Sequence, residues 1–220
     1  MTDAVPLVHA VTDDDVLSRP DALERMRAVM RALGPRGALH LRGPRTTTAR
    51  HFALAVPLAA EQARGGAWLV INDRVDLALA TAARAAQLTS RSLSMRQART
   101  LAPAAQLKLG ASVHDPNEAN FACKDGADWL VAGHVFETPS HPGAPGRGLG
   151  LIRDVLAIAQ AGNVPVVAIG GILPEHVAML RNAGAHGVAV IRGIWGADDA
   201  VLAAGRYLTA YDDAARAAPG

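Results

Sequence analysis

The run VPVVAIGGILPEHVAMLRNAGAHGVAVIRG, residues 164–193, contains one complete strand–helix–strand unit. Residues 164–169 and 187–191 are short, rich in Val and Ile, and apolar along their length, without the alternation of a half-exposed strand. That pattern suits parallel strands covered on both faces. Between them, Pro174 to Ala183 returns apolar residues at three- and four-residue spacing, which predicts a helix. The same unit recurs outward along the chain. Strands are expected at 7–12, 38–42, 67–71, 85–88, 107–113 and 129–132. Helices are expected around Leu23, Met26 and Met30, and over Thr47 to Arg64, Asp73 to Ala83, Ser94 to Leu101, Asn117 to Asp125, Leu149 to Ala161 and Ala197 to Tyr211. Eight strand–helix pairs in 220 residues predict an α/β protein, a single (β/α)8 TIM barrel over residues 1–220, with the tail after Tyr211 frayed. A doubly wound open sheet is the rival, but the first strand–helix turn has no glycine fingerprint.

Composition narrows the function classes. Half of the residues are hydrophobic, so a core forms and intrinsic disorder is excluded. Lys and Arg number 22 against 20 Asp and Glu, a net charge of +2 that gives no basic footprint for nucleic acid. A lone cysteine, Cys123, excludes a disulfide framework and a cysteine zinc site; it reads as a small packing residue on a helix. The acidic start MTDAVPLVHAVTDDD is unlike a signal peptide, and no run approaches a membrane span. The expectation is a soluble, cytoplasmic protein with no membrane or nucleic-acid partner, its self-association left open.

In a barrel the chemistry gathers where strands end and their following loops begin. Those ends deliver His40 and Arg42 from the second strand, Asn72 and Asp73 from the third, and Ser112 and His114 from the fifth. The sixth delivers His134 and a long Gly/Pro-rich segment, 133–148; the seventh Gly170 and Gly171; the eighth Ile191, Arg192 and Gly193. Glycines after the last two strands let a phosphate oxygen approach the main chain, so Gly170, Gly171, Ile191 and Arg192 are expected to bind phosphate. The alternative is that these glycines serve only tight turns. His134, at a strand end beside a lid, is placed to take and return a proton. Asp73 is the one carboxylate expected at the mouth, too few for a metal site. Asp13, Asp14 and Asp15 read as a helix cap, His9 and His51 as packing or surface residues, and Arg25, Arg27, Arg31 and Arg84 as solvated helix faces.

The strings LVHAVTD, ALHLRGP, INDRVDLAL, SVHDPNEA, GADWLVAGHVFETPS, GRGLGLI, VPVVAIGGI and GAHGVAVIRGI stand in an order that resembles the thiamine phosphate synthase superfamily across residues 5 to 205. A synthase of that family joins a pyrimidine pyrophosphate to a thiazole phosphate and uses Mg2+ as pyrophosphate leaves. Its second strand ends Gln-Leu-Arg-Glu-Lys, against His40-Leu41-Arg42-Gly43-Pro44 here. Its Asn and Asp after the third strand are matched by Asn72 and Asp73. Its second Mg2+-binding Asp falls in a string matched by Thr89-Ser90-Arg91-Ser92, without a carboxylate. After the sixth strand it reads Gly-Pro-Ile-Phe-x-Thr-x-Thr-Lys, against Gly133-His134-Val135-Phe136-Glu137-Thr138-Pro139-Ser140-His141.

The Gly-His-x-Phe-Glu-Thr string resembles the thiazole tautomerase (TenI-like) branch. That resemblance implies an isomerase in thiamine biosynthesis, with a thiazole phosphate carboxylate as substrate and no cofactor. His134 would move a proton from the ring to the exocyclic carbon. Arg42 or His114 would meet the substrate carboxylate, Thr138 and Ser140 would close over the ligand, and Glu137 would orient His134 or face solvent. The alternatives are a thiamine phosphate synthase, which would need Mg2+, and a non-catalytic ligand-sensing relative.

Overall fold

The computed structural model describes residues 4–104, 106–138 and 143–217. The strands are β1 (Val8–Val11), β2 (Gly37–Leu41), β3 (Trp68–Asn72), β4 (Ala85–Leu88), β5 (Lys108–Val113), β6 (Trp129–Gly133), β7 (Val166–Ile169) and β8 (Gly187–Val190). Each pairs in parallel with its successor, and β1 pairs with β8, so the sheet closes into the expected TIM barrel. Around it run α1 (Asp14–Ser18), α2 (Ala22–Leu33), α3 (Thr48–Gly65), α4 (Val75–Ala80), α5 (Met95–Leu101), α6 (Pro116–Lys124), α7 (Gly148–Ala159), α8 (Val177–Asn182), α9 (Arg192–Trp195) and α10 (Ala200–Ala217).

Successive strand residues point to opposite faces. Leu39, Leu41, Leu69, Ile71, Leu109, Leu130 and Val188 pack outward beneath the helices. Val11, Ala38, Trp68, Val70, Ala85, Trp129, Val131, Val167 and Ala189 point into the barrel. Both faces meet protein, which is why the strands lack polar alternation. Trp68 and Trp129 fill the interior edge to face, with ring centroids 6.2 Å apart. Gly110 makes room for them, since a Cβ there would lie 2.2 Å from the Trp129 ring.

Several local expectations change. α10 continues beyond Tyr211 to Ala217, with Tyr211 and Ala214 buried, because the alanine-rich DDAARAA is good helix former. Arg84 is not on a solvated helix face; it precedes β4 and its guanidinium stacks 5.0 Å from the Trp68 ring. Arg31 forks onto the buried Glu61 carboxylate at 2.7 and 2.8 Å. His9 is a packing residue of the barrel interior, and His51 is buried on α3. Asp13 caps α1 as expected, accepting the Val16 amide at 3.0 Å.

Candidate active site

The C-terminal ends of the strands surround a cavity of about 800 Å3. It gathers His40, Arg42, Asn72, Ser112, His114, His134, Thr138, Gly170, Gly171, Ile191, Arg192 and Gly193, so nearly every strand-end residue expected at the mouth is there. Ser140 lies outside the described residues. Asp73 is the exception, and the reason is local. Its backbone is left-handed, φ 64°, a conformation Asp tolerates better than most residues. Its Oδ1 accepts the hydroxyls of Thr89 and of Ser92, the latter at 2.6 Å, and its Oδ2 lies 3.8 Å from the Arg91 guanidinium. The carboxylate is thus spent on the turn after β4 and does not line the cavity. Glu137 is the one carboxylate that does, among the described residues.

Four lining residues on and just after β4 were missed from the sequence: Gln87, Thr89, Ser90 and Arg91. The inward alternation Ala85, Gln87, Thr89 was the available signal, because a glutamine in an otherwise apolar strand needs a polar use. Gln87 Nε2 donates to Ser112 Oγ at 3.0 Å, joining β4 to β5 beneath the mouth.

Beneath the cavity a polar column threads the barrel. His9 Nε2 lies 3.0 Å from the Pro6 carbonyl oxygen, His9 Nδ1 2.8 Å from His40 Nε2, and His40 Nδ1 3.2 Å from the Asn72 carboxamide. Burial holds the His9 imidazolium back and brings its pKa down to about 4, against a weaker opposing pull from the Pro6 carbonyl. His40 is pushed well below the ordinary histidine range, first by burial and then by His9. Both rings are neutral at physiological pH.

The loop after β6 is sewn to its neighbours. Val135 and Phe136 amides donate to the Ile169 and Gly170 carbonyls at 2.8 and 3.0 Å, and Arg147 and Gly148 amides return to His134 and Val135. His134 Nε2 donates to the Pro145 carbonyl at 3.1 Å, so the ring clasps the two ends of the loop while lining the cavity. Gly170 and Gly171 have φ of 108° and 63°. A Cβ on Gly171 would lie 2.4 Å from the Glu137 carbonyl, and one on Gly170 2.4 Å from His134 Cβ. These glycines therefore admit the loop as well as any ligand. His114 is already bound by Glu118, 3.0 Å from its Nδ1, so a carboxylate of the chain holds the ring expected to meet one from the substrate.

A closed (β/α)8 barrel, with an arginine-bearing cavity at its C-terminal mouth and paired glycine turns after its last two strands, has the arrangement in which such barrels commonly bind phosphate. The thiamine monophosphate synthase family model matches residues 8–194, and the chain belongs to that family. It is 34% identical to the thiamine-phosphate synthase of Syntrophomonas wolfei over 87% of this chain and 90% of that protein. It is 37% identical to the thiamine-phosphate synthase of Chloroflexus aurantiacus over 84% of each. A thiamine phosphate pyrophosphorylase from Pyrococcus furiosus superposes with a TM-score of 0.81 and 30% identity, over 94% of this chain and 96% of that one.

These relatives overturn the isomerase expectation. The tautomerase reading rested on the string around His134 and on departures from the synthase pattern after the second, fourth and sixth strands, whereas the likeness to synthases extends over most of the chain. The thiazole phosphate carboxylate falls with it as the expected substrate.

The synthase resemblance implies Mg2+, and the residues present do not fit it. Mg2+ takes hard oxygen ligands, commonly one or two carboxylates with substrate phosphates. Asp73 does not line the cavity, its Oδ1 accepts two hydroxyls, and its Oδ2 faces a guanidinium 3.8 Å away. No cluster of three or more His, Cys, Asp or Glu suited to a metal occurs among the described residues.

Proposed function

We propose that this chain is a thiamine-phosphate synthase, joining a pyrimidine pyrophosphate to a thiazole phosphate in the cavity at the barrel mouth. The observation that supports it best is the charge of that cavity. Arg42, Arg91 and Arg192 line it against one carboxylate among the described residues, that of Glu137. Two phosphorylated substrates bring several negative charges together, and guanidinium groups are permanently cationic forks that match phosphate oxygens.

Gly170, Gly171, Ile191 and Arg192 would hold the thiazole phosphate at the ends of β7 and β8. Arg42 and Arg91, on the other side, would hold the pyrophosphate. The reaction forms one bond between the heterocycles as the bond to pyrophosphate breaks, with the electron pair departing on the pyrophosphate oxygen. Positioning and charge stabilisation carry most of such a step, since positive groups aimed at the departing oxygens lower the barrier. His40, neutral and buried, would orient Asn72 against the substrate and exchange no proton. His134 would keep the loop closed over the reacting pair, and Thr138, at its described edge, would face the ligand. Such water-soluble substrates suit a cytoplasmic location, and no described helix is long and apolar enough to cross a membrane.

The test is to supply both substrates to purified protein and follow thiamine phosphate by chromatography, with and without Mg2+. Product in either condition supports the reading. Its absence in both, with each substrate bound, overturns it.

A further inference from the structure

Arg91 stands at the mouth on the turn after β4, beside Ser92, the last residue of the string that lacks the second carboxylate of a metal-using site. It lines the cavity, and its guanidinium is half-exposed and 3.8 Å from Asp73 Oδ2. The turn that carries it is closed by the Ser92 amide on the Thr89 carbonyl at 3.0 Å and by the Thr89 amide on Ser92 Oγ at 2.8 Å. Asp73 gathers both hydroxyls of that turn from below. So the carboxylate, the hydroxyls and the guanidinium form one layered unit. Asp73 fixes the turn, the turn presents Arg91, and Arg91 presents positive charge to the cavity. Arg42 adds a second cation at the end of β2, and it makes no ion pair among the described residues.

We infer that Arg91, backed by Asp73 and joined by Arg42, neutralises the pyrophosphate of the substrate in place of a divalent cation. This rests on the synthase reading and deepens it. Asp73 is then a positioning residue that never touches substrate. A guanidinium can offer two parallel donors to a phosphate, and its charge does not depend on a dissociable ion.

Calorimetry with inorganic pyrophosphate tests this without turnover. In EDTA the wild type should bind pyrophosphate within about twofold of its affinity in Mg2+. Arg91→Gln should lose at least tenfold in EDTA, and Arg91→Lys should recover part of that loss. Asp73→Asn should weaken binding less than Arg91→Gln does. Circular dichroism melts should match the wild type for the Arg91 variants, because the side chain is half-exposed. Binding that vanishes in EDTA and returns with Mg2+ would overturn the inference, as would wild-type affinity in Arg91→Gln or no pyrophosphate binding in either condition. The synthase reading has a separate outcome: metal-independent pyrophosphate binding with no thiamine phosphate formed from both substrates would sink that reading and leave the anion site standing.

Discussion

The two sides of the mouth are made of different materials. On the β2–β4 side the working groups are side chains: His40, Arg42, Asn72 and Arg91, with Asp73 behind them. On the β7–β8 side they are mostly backbone, at Gly170, Gly171 and Gly193, with Arg192 as the charged addition. A side-chain wall can exchange a carboxylate for an arginine while the barrel stays intact. A glycine wall cannot, because its glycines also carry the packing of the next loop. The contrast accounts for departures from the synthase pattern after β2 and β4 beside glycine turns that persist after β7 and β8.

The sharpest way to break the contrast is Gly171→Val. The residue has a left-handed backbone and the new side chain would run into the Glu137 carbonyl. Strain and overpacking together predict a loss on the order of 3 kcal/mol or more, seen as a melting temperature lower by roughly 6–12 °C. A wild-type melt with lost phosphate binding would instead mean that the glycine serves the ligand alone.

Acid should come next, acting beneath both walls. His9 stays neutral in the folded chain down to about pH 4, whereas the unfolded chain takes up that proton near pH 6.5. The unfolded state therefore binds more protons across that window, and stability falls as pH drops from 7 towards 4, by on the order of 3 kcal/mol from His9 alone. His40 adds a loss of the same sign. Urea midpoints measured from pH 7 to pH 4 check this, and a His9→Phe variant should flatten the profile. An unchanged slope in that variant would remove His9 as the cause.

Arg192→Ala should be milder for the fold and specific for the ligand. Loss of a charge-assisted contact predicts a tenfold to hundredfold weaker affinity for a thiazole phosphate, roughly 1.5–3 kcal/mol. Thermal stability should move by no more than about 0.5 kcal/mol. Equal affinity in both proteins would leave the glycine turns as the whole of that wall. Smallest of all, Asp73→Asn keeps a residue suited to a left-handed backbone and retains hydrogen bonding to the Thr89–Ser92 turn. It should cost about 1 kcal/mol or less in stability, while KM for the pyrophosphate substrate rises with kcat little changed. A collapse of kcat would instead assign Asp73 to the chemistry.

Much of the fold was legible in the sequence. Strands buried on both faces announce themselves as continuous apolar runs, and eight such runs leave little choice but a closed barrel. That closure also explains why the strand-end residues, Asp73 excepted, meet at the mouth. Side-chain partners at the ends were harder to read. At Asn72-Asp73 the inward alternation Trp68, Val70, Asn72 points the first into the cavity and the second away from it, but nothing local says what then holds Asp73. That hold comes from a left-handed φ and from hydroxyls sixteen and nineteen residues later. His134 was located correctly, but its clasp on Pro145 depends on how the loop returns. The expected chemistry failed for another reason: a string around that histidine and a few departures at strand ends outweighed a likeness spread over most of the chain.

The column of imidazoles beneath the mouth has a direction. A carbonyl oxygen only accepts, so Pro6 requires the His9 proton on Nε2 and leaves Nδ1 bare. That bare nitrogen claims the Nε2 proton of His40, whose own Nδ1 is then bare and must be met by a donor. The atom 3.2 Å from it is Asn72 Oδ1, itself an acceptor, so a donor reaches that nitrogen only when the carboxamide turns end for end. Imidazole nitrogen-15 shifts report both tautomers directly. A proline near the floor of the barrel thereby sets the order of protons all the way up to its door.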